Sequence, residues 1–289
     1  MEQIVVTLFL VFFSLEFLVE FTLNEKNMGY VRERWADKKV PDFFRNSIDP
    51  ENYKKSVEYT LAKGRFERWA EVYGRVIVLI ILFGGALPYL DRLSQNLGGH
   101  FSPSMQVTGI SFCFSIAMIF SVLSFPTDLY STFVIEERFG FNKSTLKLYL
   151  TDKLKGLVIG TVIGIPFLFG VLWLMKATGS NWWLWAFLFI FAFQCLMLVI
   201  YPSLIAPLFN KFEPLKEGEL HERVLALAEQ IGFKTGGIYT MDGSKRSTHS
   251  NAYFTGIGKT KRIVLFDTLV EQMTLDQGLA VLAHEMGHY

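Results

Sequence analysis

Long apolar runs alternate with polar stretches over the first two thirds of the chain. They extend from about Ile4 to Leu23, Val76 to Leu90, Met105 to Phe125, Leu157 to Met175 and Trp182 to Ile205, which predicts five membrane-crossing helices. The first run lacks a basic leading region and a small-residue cleavage site, and it carries Glu16 and Glu20, so it reads as a retained span. Two carboxylates four apart in a span are costly in lipid and should face protein or water; the alternative is that Glu20 sits at the interface and only Glu16 is deep. The fourth run is expected to kink at Pro166, and Trp182, Trp183 and Trp185 open the fifth at an interface.

Between the spans, residues 24–75 form a long polar segment punctuated by Pro41 and Pro50, expected to fold as two or three helices outside the bilayer. Residues 127–156 are polar again. After Ile205 the pattern changes to that of a soluble α/β region. Glu219 to Ile231 has amphipathic helical period and is closed by Gly232. Gly237 to Met241 reads as a strand, Asp242-Gly243 as a turn, and Asn251 to Thr255 with Arg262 to Phe266 as a hairpin. Thr274 followed by Gln277 is a capping box, so the last predicted helix starts there and continues through Leu279 to Ala283 and beyond. The fold class is therefore mainly α: a polytopic membrane region over residues 1–205 and a small α/β region over residues 206–289.

Charge sets the expected orientation. The connections 24–75 and 127–156 carry 12 and 5 Lys or Arg, against one each in the other two, so the basic connections are expected in the cytoplasm and the N-terminus on the far side. Five crossings place everything after Ile205 on the cytoplasmic side, in a bacterial inner membrane or the endoplasmic reticulum. With 28 basic and 27 acidic residues, nothing points to a nucleic-acid partner. Cys113 and Cys195 lie in apolar runs and read as small buried hydrophobes with no redox or metal role.

The candidate chemistry sits at the end of the chain, in TLDQGLAVLAHEMGHY. On a helix, His284 and His288 are four apart and share a face, a spacing that suits one zinc ion; Glu285 beside them has the chemistry of a general base toward water at that ion. A solvated helix face is the plain alternative. The surrounding Gly, Ala, Val and Leu favour a buried setting. A hairpin just before such a helix can hold a peptide as an added strand, with Ser250-Asn251-Ala252-Tyr253 as the candidate edge and Asn251 able to bond both directions of a peptide unit; Asn251 could equally be a simple turn residue.

Several stretches resemble the integral-membrane zinc endopeptidases of the CAAX prenyl protease type 1 family, with HtpX-like heat-shock proteases as more distant relatives. They are FVIEERFGFNKST with TDKLKG after it, IAPLFNKFEPLKEGEL, MDGSKRSTHSNAYFTGIGKTKRIVLFDTLV and LAHEMGHY. The resemblance implies seven membrane helices around a hydrophilic chamber, zinc held by His284 and His288, Glu285 as catalytic base, and Asn251 and Ala252 as the substrate-backbone edge. The implied partners are the lipid bilayer and a peptide or protein substrate, prenylated C-a-a-X proteins in eukaryotic members and membrane proteins more generally in bacterial ones.

The family takes its third zinc ligand, a Glu, from a helix further downstream. The chain ends at Tyr289 in mid-helix without a C-cap, so the sequence reads as an N-terminal portion without that ligand and, by itself, inactive. A catalytically incomplete scaffold or peptide-binding fragment is the alternative. His249 is the least remote substitute ligand, although in the resemblance its stretch holds substrate; His221 and His100 read as solvated.

Overall fold

The computed structural model describes residues 1–37, 39–46, 48–101, 104–233, 235–256 and 261–287, without the side chains of 97–101. The chain divides into two compact bodies: residues 1–92 with 115–139, and residues 93–114 with 140–289.

In the first body, α1 (Glu2–Arg34) packs against α2 (Pro50–Phe83). The helices approach closely at Gly64, where an added Cβ would stand 2.9 Å from Sδ of the buried Met28. Asp49 caps α2 by accepting the amides of Glu51 at 3.1 Å and Asn52 at 3.2 Å, with Pro50 in the first turn. Apart from a short 3-10 turn at Asp42–Phe44, the described part of the polar segment 24–75 forms no separate helices: most of it extends α1 and α2. Its Glu, Lys and Arg residues are good helix formers, and lengthening an existing helix avoids the cost of a new nucleus.

Gly84 and Gly85 end α2, Gly85 at φ +79°, and α3 (Ala86–Phe101) leaves with a bend of 62°. The second expected span is thus a broken helix. Counting it once, the described residues contain five helical units long and apolar enough to cross a membrane. α4 (Met105–Tyr130) continues as a π-helical segment, Ser131–Glu136, so much of the second polar connection is helical as well. The Tyr59 hydroxyl donates to Glu136 Oε1 at 2.7 Å, and Phe66 stacks on Tyr130 with centroids 5.2 Å apart.

One cluster of charges inside the apolar zone is paired. Arg75 on α2 reaches Glu16 of α1 at 3.4 Å, donates to the Phe13 carbonyl at 3.0 Å and pairs with Glu71 at 2.9 Å. Arg75 is thus largely covered while Glu16, its most distant partner, stays exposed, and the basic residue just ahead of the second apolar run lies at mid-span depth of the first.

In the second body, α5 (Leu146–Ala177) starts at a Thr145 cap and runs through Pro166 as one helix. It packs on α6 (Trp182–Ile200), with Gly170 leaving room for the Phe189 ring. Large apolar side chains such as Phe12, Val162 and Phe187 stay 62–66% exposed, a density of greasy surface that belongs in lipid. After α7 (Ala206–Phe209) the chain forms β1 (Phe212–Pro214), α8 (Glu219–Gln230), β2 (Ile238–Met241), β3 (Ala252–Thr255), β4 (Arg262–Phe266), α9 (Asp267–Gln272) and α10 (Leu275–Gly287). The sheet order is β1-β2-β4-β3, with β4 parallel to β2 and antiparallel to β3. Its core joins Val224 and Ala228 of α8, Ile263 and Leu265 of β4, Leu269 of α9, and Leu282 and Met286 of α10.

Candidate active site

α10 begins as its sequence dictates. The Thr274 amide donates to Gln277 Oε1 at 3.0 Å and the Gln277 amide to Thr274 Oγ1 at 3.4 Å, a reciprocal cap. Its inward stripe is Gly278, Leu282 and Met286, spaced by four and buried. His284 follows Leu282 by two residues, about 200° around the helix, and so lands on the open side. Ala280, Ala283 and Gly287 share that exposed side, and Glu285 is half-buried. The expected burial of the whole segment thus holds for one face only. The other face carries the small residues Ala280, Ala283 and Gly287 around His284, and nothing described beyond its own helix backbone and chain neighbours comes within 4 Å of the position a Gly287 Cβ would take. His288 lies outside the described residues, as does Tyr289, so the geometry of the pair is not on view.

β3 supplies the second component. Among the described residues it stands at the sheet edge and pairs with β4 alone. The Phe266 amide donates to the Asn251 carbonyl at 3.0 Å, which fixes the ladder phase: Asn251, Tyr253 and Thr255 bond inward, while Ala252 and Phe254 turn their amides and carbonyls to the free edge. α10 packs directly against this strand, with Ala252 buried at 1% exposure. Asn251 is exposed, and its Oδ1 accepts the outward amide of Ala252 at 2.8 Å. One edge donor is therefore held by a side chain that a bound peptide could displace. Burial, and secondarily Tyr201, push the Tyr253 phenol up to about 12.

The segment leading into β3 is fastened by residues that helical spacing did not single out. Arg246 donates to Asp152 Oδ2 at 2.8 Å, Asn210 Oδ1 at 2.6 Å and the Phe209 carbonyl at 2.8 Å, while its own carbonyl accepts the Lys143 amide at 3.0 Å. Thr248 donates its amide to Phe141 at 3.0 Å, and His249 stacks on the Phe141 ring at 4.4 Å. These positions fall in GFNKST, TDKLKG, LFNKF and SKRSTHSNAY, so the separate motif stretches of the sequence converge on one junction. The signal was present as charged and polar residues bordering apolar helices, but nothing in the spacing paired them. His249 is occupied by that junction, its carbonyl accepting from Thr268 Oγ1 at 3.0 Å. Among the described residues, no group of three His, Cys, Asp or Glu is placed to hold an ion.

His284 offers an exposed imidazole and the sequence places a second at His288, donor types that suit zinc, with the Glu285 carboxylate beside His284. A family model described as "CAAX prenyl protease N-terminal, five membrane helices" matches residues 31–211. The chain belongs to the CAAX prenyl protease family. A second model, peptidase family M48, matches residues 214–289 and so includes α10. CAAX prenyl protease 1 of Saccharomyces cerevisiae is 38% identical over 264 residues, covering 89% of this chain and 58% of that protein. The human CAAX prenyl protease 1 homolog is 40% identical, covering 82% of this chain and 50% of the homolog. The crystal structure of S. mikatae Ste24p superposes with a TM-score of 0.85 at 35% identity, covering 96% of this chain and 65% of Ste24p. The chain thus spans about half to two thirds of the length of these relatives. Together with the span-capable helices, the family makes it an integral, multi-pass membrane protein.

Proposed function

We propose that these residues form the membrane region and part of the catalytic region of a zinc-dependent endopeptidase acting on prenylated C-a-a-X-type proteins. The observation that carries this reading is the edge strand β3 packed beside α10, whose open face bears His284 and Glu285. His284 and His288 are the proposed ligands, with a further carboxylate outside the described residues completing the set. When bound, zinc supplies Lewis acidity, polarising a carbonyl and lowering the pKa of water.

The chain's own groups supply the rest. Glu285, half-buried beside His284, accepts a proton from the attacking water and returns it to the leaving amine. The outward amides and carbonyls of Ala252 and Phe254 bind the substrate backbone as an added strand, independent of its side chains. The Asn251 amide swings from Ala252 to the peptide, releasing one edge donor and offering its own. Residues 1–205 serve as the membrane region and 206–289 as the protease region. The basic connections are proposed to face the cytoplasm and the N-terminus the far side, with α10 cytoplasm-facing.

Glu285→Gln, introduced into a chain extended to the length of its relatives, is expected to lower peptide cleavage by about 10³-fold or more with zinc still bound. Turnover within tenfold of the parent would remove Glu285 from the mechanism. Asn251→Ala is expected to raise KM several-fold with a smaller change in kcat, read from cleavage of a prenylated peptide. A pure kcat loss would contradict the edge-strand role.

A further inference from the structure

The first body contains a cavity that the proposed peptidase chemistry does not use. It encloses ≈ 670 Å³ between α2 and the stretch from Tyr130 to Phe139. Its floor is apolar, formed in part by Ile135 and Phe139, which are 6% and 5% exposed. Arg65 and Arg138 line its wall together with one acid, Glu58.

Two observations give those arginines meaning. Their helical neighbours are neutralised: Arg68 pairs with Glu25, and Arg75 with Glu71 and Glu16. Neither Arg65 nor Arg138 forms an ion pair among the described residues; Arg65 Nε donates to the Leu61 carbonyl at 3.2 Å, and Arg138 lies 5.4 Å from the Phe139 ring centroid. Two guanidiniums against one carboxylate leave the wall cationic.

The second observation is depth. Arg68 meets Glu25 just past Leu23, the end of the first apolar run, so this ion pair marks the rim of the hydrocarbon layer. Trp69, next to Arg68, lines the cavity at 75% exposure, and Phe66 stacks on Tyr130 in the same wall. An exposed Trp and a Tyr at that level are interfacial aromatics. The cavity therefore opens at headgroup level, with aromatic side chains toward the acyl chains and guanidiniums toward the water.

We propose that this cavity binds the headgroup of an anionic phospholipid, its phosphate held by Arg65 and Arg138 and the upper acyl chains lying along Phe66, Trp69 and Val134. Planar guanidiniums pair with phosphate oxygens in two-point contacts, and a basic pocket at this depth draws anionic over zwitterionic lipid.

The test is native mass spectrometry of the 289-residue chain in detergent, titrated with phosphatidylserine, phosphatidylcholine or inorganic phosphate. Phosphatidylserine is expected to be retained at least fivefold more than phosphatidylcholine, with millimolar phosphate failing to displace it. The double variant R65Q/R138Q should lose that preference while keeping its helical circular dichroism. If it does not fold, R65K/R138K decides: it keeps the positive charge and should retain anionic preference with weaker retention, since the two-point contacts are gone. Equal retention of the two lipids by the parent, an unchanged preference in R65Q/R138Q, parent-like retention in R65K/R138K, or displacement by phosphate would each overturn the proposal.

Discussion

Tyr253 shows how a single side chain on the edge strand answers to its surroundings. Burial comes first and Tyr201 second in pushing its phenol up to about 12, so the folded state keeps a proton that the unfolded state gives up near 10. The contribution is complete below about pH 10 and falls as pH rises toward 12. Denaturant midpoints measured from pH 9 to 11.5 should therefore decline, and Tyr253→Phe should flatten the decline. Tyr59, raised by burial and by its hydrogen bond to Glu136, acts with the same sign and leaves a residual slope. An identical slope in Tyr253→Phe would mean that the phenol titrates as if exposed. None of this was legible in the sequence, where Tyr253 was only part of a candidate edge. The placement of His284 and Glu285 together on one helix, by contrast, was legible, because it rests on a spacing of a few residues.

Local signals in the chain translated well into elements, and distant ones did not. The Thr274–Gln277 cap, the Asn251–Phe266 hairpin and the apolar runs rest on neighbours in sequence, which a pattern displays directly. The junction at Arg246 depends on Asp152, 94 positions away, and on Asn210, 36 away, and no periodicity links them. The same limit explains the polar segments: charge set residues 24–75 apart from the apolar runs, but did not show that α1 and α2 extend through most of them. Arg246→Met should cost about 2–4 kcal/mol, because it strands the partly buried Asp152 carboxylate and frees the Phe209 carbonyl. Thermal unfolding in a single detergent would measure it. A cost under about 0.5 kcal/mol would show that solvent replaces the guanidinium and that the junction is not held by charge.

The whole chain combines a greasy helical region with a small sheet whose edge lies beside the helix carrying the HExxH pattern, the arrangement on which the proposed peptidase role rests. At the depth of the first span, Arg75 is covered by protein and paired with Glu71 and Glu16. The family relation adds the rest of the frame, since this chain spans 65% of Ste24p and 58% of the yeast protease. The proposed chemistry requires α10 to carry ligands for a metal ion. Zinc content per chain, measured by inductively coupled plasma mass spectrometry on a protein of the relatives' full length, tests that most directly. One zinc per chain is expected in the parent and in Glu285→Gln, falling to a small fraction in His284→Ala with the helical signal intact; full zinc retention in His284→Ala would contradict it.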